Sequence, residues 1–120
     1  MKTVDQVLGW LLVAGAVLHA GGSWAGYRQS PELLVWALSG SLAAILVAAL
    51  NLLRINRPRD RTLALVSVAA SAAWVVVALA FGAAIGNVFD PRAVIHAINA
   101  AALAAMGIRT VAQARTGAHS

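Results

Sequence analysis

Four long apolar segments, separated by short polar stretches, constrain this chain more than any other feature of its sequence. Of its 120 residues, 61% are hydrophobic and only 11% are charged. A helix needs about 20 residues to cross the roughly 30 Å of hydrocarbon in a bilayer. The sequence predicts four such spans, at about 4–24, 32–54, 62–86 and 92–112, followed by a short polar tail at 113–120.

These segments predict an all-α integral membrane protein with one membrane domain covering residues 1–120. Short connections between consecutive spans favour an antiparallel up-down bundle of four transmembrane helices. Proline residues mark the connections, since Pro31 and Pro91 stand at predicted helix starts and Pro58 interrupts a basic loop. Proline is tolerated at the first position of a helix, where its missing N–H is not needed.

The basic residues predict the orientation of the bundle. Arg28 and Arg92 fall on one side of the predicted topology, and the other side holds Lys2, Arg54, Arg57, Arg59, Arg61, Arg109 and Arg115. Short loops rich in Lys and Arg stay on the cytoplasmic side of a membrane. We therefore expect an N-in/C-in protein of a bacterial-type inner membrane, with both termini cytoplasmic.

The net charge of +5 does not point to nucleic acid. The charges stand in a short loop and at helix ends, where they contact anionic lipid headgroups. The chain contains no cysteine, which excludes disulfides and thiolate metal sites. The lipid bilayer is therefore the first expected partner, and nucleic acid is not expected.

Small residues recur at four-residue spacing in two of the spans. Gly40, Ala44 and Ala48 follow one another in the second, and Gly82 and Gly86 form a GxxxG pattern in the third. Such faces let helix backbones approach closely in lipid. They indicate either packing inside one bundle or association with another copy or with other membrane subunits.

Two histidines stand at similar predicted depths. His19 precedes the outer end of the first span, and His96 follows the outer start of the fourth. At about 1.5 Å per residue, both rings lie roughly 6–8 Å inside the outer boundary. The first and last helices of a closed bundle are commonly neighbours. We therefore expect the two imidazoles to face each other.

The fourth span adds polar residues on the same face as His96. Arg92 lies one turn outside His96, and Asn99 lies one turn inside it. Gly15 flanks His19 on the first span and leaves space beside the ring. Ionisable groups within a span usually face the bundle interior and mark function. The candidate ligand-binding residues are therefore His19, His96, Asn99 and Arg92.

Three interpretations of this histidine pair remain open. In the first, the polar groups only tie helices together. In the second, His19 and His96 ligate the iron of a b-type haem, with Arg92 near the propionates, or the site binds quinone. In the third, a titrating histidine serves a small proton-linked transporter component. Two imidazoles alone are too few for the usual zinc site, so a metal is expected only as haem iron.

No catalytic residues emerge from the sequence. The chain has no G-x-S-x-G elbow and no phosphate-binding loop ending in G-K-[ST]. The sequence therefore predicts a non-catalytic accessory or assembly subunit of a larger membrane complex. The alternatives are a haem- or quinone-binding redox subunit and a transporter component.

Overall fold

Four helices make up the part of the chain that the computed structural model describes, residues 1–117, and this part has no strand. They are α1 (Lys2–Tyr27), α2 (Pro31–Asn56), α3 (Arg61–Ala84) and α4 (Pro91–Gly117). Each helix is long and apolar enough to cross a membrane by length and composition. The predicted all-helical class and the four candidate spans are thereby confirmed. His119 and the end of the predicted polar tail lie outside the described residues.

The helices extend beyond most of the predicted boundaries. α4 continues to Gly117, so the described part of the predicted tail is helical. Gln, Ala and Arg in 113–115 are good helix formers, which explains this continuation. A helix of 26 residues, such as α1, is about 39 Å long. The helix ends therefore reach beyond the hydrocarbon into the headgroup layer.

Local chemistry explains where the helices begin. The Asp60 carboxylate accepts a hydrogen bond from the Leu63 backbone N–H at 2.9 Å and caps the start of α3. Pro31 and Pro91 occupy the first positions of α2 and α4. At the end of α3, Gly86 adopts a φ of +75°, which a residue with a side chain rarely tolerates.

Most residues that face inward are small, and most large apolar side chains face outward. The core includes Ala16, Ala44 and Ala48 together with Leu12 and Leu103, all almost fully buried. Leu18, Trp36 and Phe89, by contrast, are 76%, 71% and 85% exposed. This distribution suits a bilayer, because helices in lipid associate by close packing of small residues rather than by hiding large apolar ones.

The predicted small-residue faces are used within the chain. Ala44 and Ala48 are 1% and 0% exposed, in the core described above. Gly82 packs against the α3–α4 connection, where an added β-carbon would lie 3.0 Å from Val88 Cα. Gly86 does not continue a helical GxxxG face, because α3 ends at Ala84. A tight turn, not a helix–helix interface, requires this second glycine.

Two glycines allow the closest approach between helices. A β-carbon at Gly9 of α1 would lie 2.8 Å from Leu52 Cδ2 of α2. A β-carbon at Gly107 of α4 would lie 2.6 Å from Val68 Cγ2 of α3. Real β-carbon contacts essentially never come this close. Gly107 therefore helps to set the spacing of α3 and α4, whereas Gly9 leaves room for the flexible end of the Leu52 side chain.

We expect Gly107→Ala to destabilise the bundle by about 1–3 kcal/mol, because the new methyl group overpacks the stiff Val68 side chain. Gly21→Ala is the matched control, since open space surrounds Gly21 on α1. That substitution should be neutral or stabilising, because alanine favours a helix over glycine. Thermal unfolding of the detergent-solubilised chain measures both. Equal stability of the two variants would contradict this packing. Adding Val68→Ala to Gly107→Ala should restore the lost stability, because the shorter side chain makes room for the new methyl group.

Candidate functional site

His19 connects α1 to α2. Its Nδ1 lies 2.7 Å from the Ser41 Oγ, and its Cε1 lies 3.8 Å from where a Gly40 β-carbon would stand. The Ser23 hydroxyl donates to the His19 carbonyl oxygen at 2.7 Å. The rest of the side chain is exposed at the bundle surface. The hydrogen bond of this ring is therefore with α2, while its electrostatic interactions reach Arg92 and His96 of α4.

His96 contacts two other helices. The Trp74 indole of α3 donates to His96 Nδ1 at 3.3 Å, and the two rings meet edge to face with centroids 6.0 Å apart. Because indole N–H is only a donor, this bond places the proton of the neutral imidazole on Nε2. On its other side the half-buried ring lies against Gly15 of α1, where a β-carbon would be 3.2 Å from Nε2.

Asn99 joins α4 to α1. Its Nδ2 donates to the Leu8 carbonyl oxygen at 3.1 Å. Its Oδ1 is buried and has no hydrogen-bond partner. The predicted proximity of the first and fourth helices is thus realised through Asn99 and through the contact between His96 and Gly15.

Arg92 interacts electrostatically with His19, but its ion-pair partner is Asp90. Its Nε lies 3.0 Å from Asp90 Oδ1, its side chain is 68% exposed, and its guanidinium carbon lies 5.3 Å from the centre of the Phe81 ring. The hydrogen bond from the Arg92 side chain lowers the pKa of Asp90. Arg92 therefore serves the α3–α4 connection.

Haem ligation by His19 and His96 stays a prediction, and each of the two rings takes part in other contacts. Bis-imidazole ligation requires one nitrogen of each ring to face a common gap that holds the macrocycle. The space beside Gly15, which the sequence assigned to such a group, is filled by the His96 ring itself. No hydrogen bond joins the two rings within the described chain. The same range contains no group of three or more His, Cys, Asp or Glu that could hold a metal ion.

The most extensive polar constellation lies at the other end of α1 and was not predicted. Arg54 is 1% exposed and forms a bidentate ion pair with Asp5, with N–O distances of 2.8 and 2.7 Å. Its two terminal nitrogens also donate to Thr110 Oγ1 at 3.0 Å and to Asn51 Oδ1 at 3.1 Å. Asn51 Nδ2 in turn donates to Ser71 Oγ at 2.9 Å. This polar network, Asp5–Arg54–Thr110–Asn51–Ser71, joins all four helices.

A sequence signal for the polar network exists in hindsight. Val47, Asn51 and Arg54 follow one another at i, i+4 and i+7, which is one face of a helix. That face continues the Gly40, Ala44 and Ala48 stripe, so its polar members must also point inward. The position of Arg54 at a span end predicts a headgroup contact instead, which is the usual role of an arginine there.

The ion pair is the most sensitive point of the bundle. Removing one partner of a buried pair leaves an uncompensated charge and costs about 3–5 kcal/mol. We expect Asp5→Asn to destabilise the bundle by roughly that amount. Replacing both partners, as Asp5→Leu with Arg54→Met, should recover most of the loss, because no charge then stays buried. Unfolding in detergent, followed by circular dichroism, measures both variants.

Asp90→Asn is the matched control for this experiment. It removes the carboxylate of the second ion pair, which is exposed, so unfolding should hardly change. If Asp5→Asn unfolded at the same denaturant concentration as Asp90→Asn, the polar network would not stabilise the bundle.

Comparison with known proteins gives no function for this chain, so a function is argued from its geometry. No protein-family model, no curated protein and no solved structure matches this chain.

Proposed function

We propose that this chain is a small inner-membrane protein that acts as a non-catalytic accessory or assembly subunit of a larger membrane complex. Its helices alternate in direction, and both termini are cytoplasmic. The positive-inside distribution of Lys and Arg supports this orientation. The meeting of Asp5, near the start of α1, with Arg54, near the end of α2, supports the alternation.

One observation carries the non-catalytic assignment: the polar side chains of the bundle are engaged with one another. His19 contacts Ser41, His96 contacts Trp74, and Arg54 contacts Asp5. Each contact joins two helices. Side chains used in this way hold the bundle together, and interhelical hydrogen bonds in a membrane contribute about 0.6 kcal/mol each on average.

The surface of α1 supports docking of a partner helix. Gly21, Gly22 and Gly26 have open space where a β-carbon would stand, unlike Gly9, Gly15, Gly40, Gly82 and Gly107, which face neighbours within the chain. Gly22 and Gly26 stand one turn apart, and small residues at this spacing allow close helix approach in lipid. We propose that a transmembrane helix of another subunit packs on this open face of α1.

The partner surface is tested with Gly22→Leu combined with Gly26→Leu. In membranes solubilised with a mild detergent, the tagged native chain should migrate on a native gel within a complex of defined size. The double variant should migrate alone, because leucine side chains prevent close approach. Ala69→Leu combined with Ala73→Leu is the matched control, since both residues are exposed and one turn apart on α3. The control should stay in the complex.

Complementation separates an accessory role from the alternatives. Deletion of the chain should lower the amount of assembled complex. Expression of the His19→Ala or the His96→Ala variant in the deletion strain should restore that amount. A native chain that migrates alone would argue against the accessory role. Purified protein with a Soret band that is lost in His19→Ala and His96→Ala would support the haem-binding alternative instead.

The orientation is tested by single-cysteine labelling, since the chain contains no cysteine. Gln29→Cys and Asn87→Cys lie in the two connections expected outside the cytoplasm. Asn56→Cys and Thr116→Cys lie at the ends expected inside. A membrane-impermeant maleimide should label the first pair in intact spheroplasts and the second pair only after lysis. The reverse pattern would overturn the proposed orientation.

A further inference from the structure

A cleft of about 370 Å³ opens at the end of the bundle where the polar network lies. α1, the end of α2 and α4 line it, and the residues that matter here are Lys2, Asp5, Arg54, Arg109, Thr110 and Gln113. Its place at the helix ends puts it at the depth of the headgroup layer, because the helices are longer than the hydrocarbon is thick.

The charge of the cleft is unbalanced. Asp5 contributes the carboxylate, and both of its oxygens accept hydrogen bonds from Arg54. Lys2 and Arg109 are exposed at the cleft and form no ion pair within the described part of the chain. Two cations therefore remain without a counter-charge after the Asp5–Arg54 pair is complete.

The inner wall of the cleft is rigid and polar. Arg54 is 1% exposed, four hydrogen bonds orient its terminal nitrogens, and its Nε–H is buried without a partner. A buried donor without an acceptor is uncommon and adds positive potential. Thr110 and Gln113 also line the cleft, and the Thr110 hydroxyl is engaged, because it accepts from Arg54 and donates to the Met106 carbonyl oxygen.

We propose that this cleft is a binding site for a phosphate anion, with Lys2 and Arg109 as its direct ligands. Arginine and lysine are the usual phosphate ligands in proteins, through charge-assisted hydrogen bonds. The buried Arg54 contributes potential rather than contact, and Gln113 offers an additional donor. The phosphate comes either from an anionic phospholipid headgroup in the adjacent leaflet or from free phosphate in solution. The site is independent of the accessory role, since it needs only a membrane-spanning bundle.

The experiment measures thermal unfolding of the full chain in detergent, because a ligand that binds the folded state raises its melting temperature. The probes are phosphatidylglycerol, phosphatidylcholine with the same acyl chains, and inorganic phosphate compared with chloride at equal ionic strength. We expect saturable stabilisation by phosphatidylglycerol and none by phosphatidylcholine. Lys2→Gln with Arg109→Gln should weaken the apparent affinity by about fivefold for each cation removed.

Arg115→Gln is the matched control, because it removes an exposed cation from the same end of α4 outside the cleft lining. Its affinity for phosphatidylglycerol should stay close to that of the native chain. An equal loss in Arg115→Gln would show diffuse charge attraction and overturn the site. The site would also be overturned if the double variant kept the native affinity, or if neither phosphatidylglycerol nor phosphate stabilised the native chain.

The measurements with inorganic phosphate identify whether the bound phosphate comes from a lipid headgroup or from solution. Stabilisation by inorganic phosphate that the cleft variant loses would assign free phosphate, whereas stabilisation by phosphatidylglycerol alone would assign the lipid headgroup. The side chains of Lys2 and Arg109 make no hydrogen bond within the described chain, so the variants should fold. Circular dichroism and the ligand-free melting temperature check this. Lys2→Gln and Arg109→Gln made singly give intermediate affinities if both cations bind the phosphate.

Discussion

The ion pair between Arg54 and Asp5 is the interaction on which the rest of the bundle depends. Arginine is among the most costly residues to place inside a membrane-spanning bundle, so its charge must be met by a partner at fixed distance. Asp5 meets it with two parallel hydrogen bonds, while Thr110 and Asn51 accept further N–H groups. These requirements place the start of α1 and the ends of α2 and α4 together. Close packing of small residues then fills the remaining length.

The histidines stabilise the other half of the bundle in a weaker way. His19 and His96 each use Nδ1 for a contact between helices, with Ser41 and with Trp74. A ring committed in this way is oriented, and the contact of His96 with Gly15 closes the space beside it. The two ends thus differ in kind. One is held by a buried charge pair and its network, and the other by the hydrogen bonds of the two histidines.

These interactions leave two surfaces of the bundle without a partner inside it. Polar groups inside the bundle are largely satisfied, so the surfaces that remain are the open glycine face of α1 and the basic cleft beside the polar network. The first is suited to another helix in the hydrocarbon, and the second to an anion at the headgroup level. These two surfaces are the basis of the accessory role and the phosphate site that we propose.

The sequence by itself determined the fold class and the four spans, because apolar segments of this length leave a chain few alternatives in water or lipid. It also identified the two histidines, Asn99 and Arg92, and the structure adds that Arg92 pairs with Asp90. Only the tertiary structure decided which neighbour each polar side chain meets. Asp5 and Arg54 stand 49 positions apart, and a pairing at that separation depends on how helices rotate and cross. Helical periodicity indicates which residues share a face, but the face of one helix does not reveal which residue of another lies opposite.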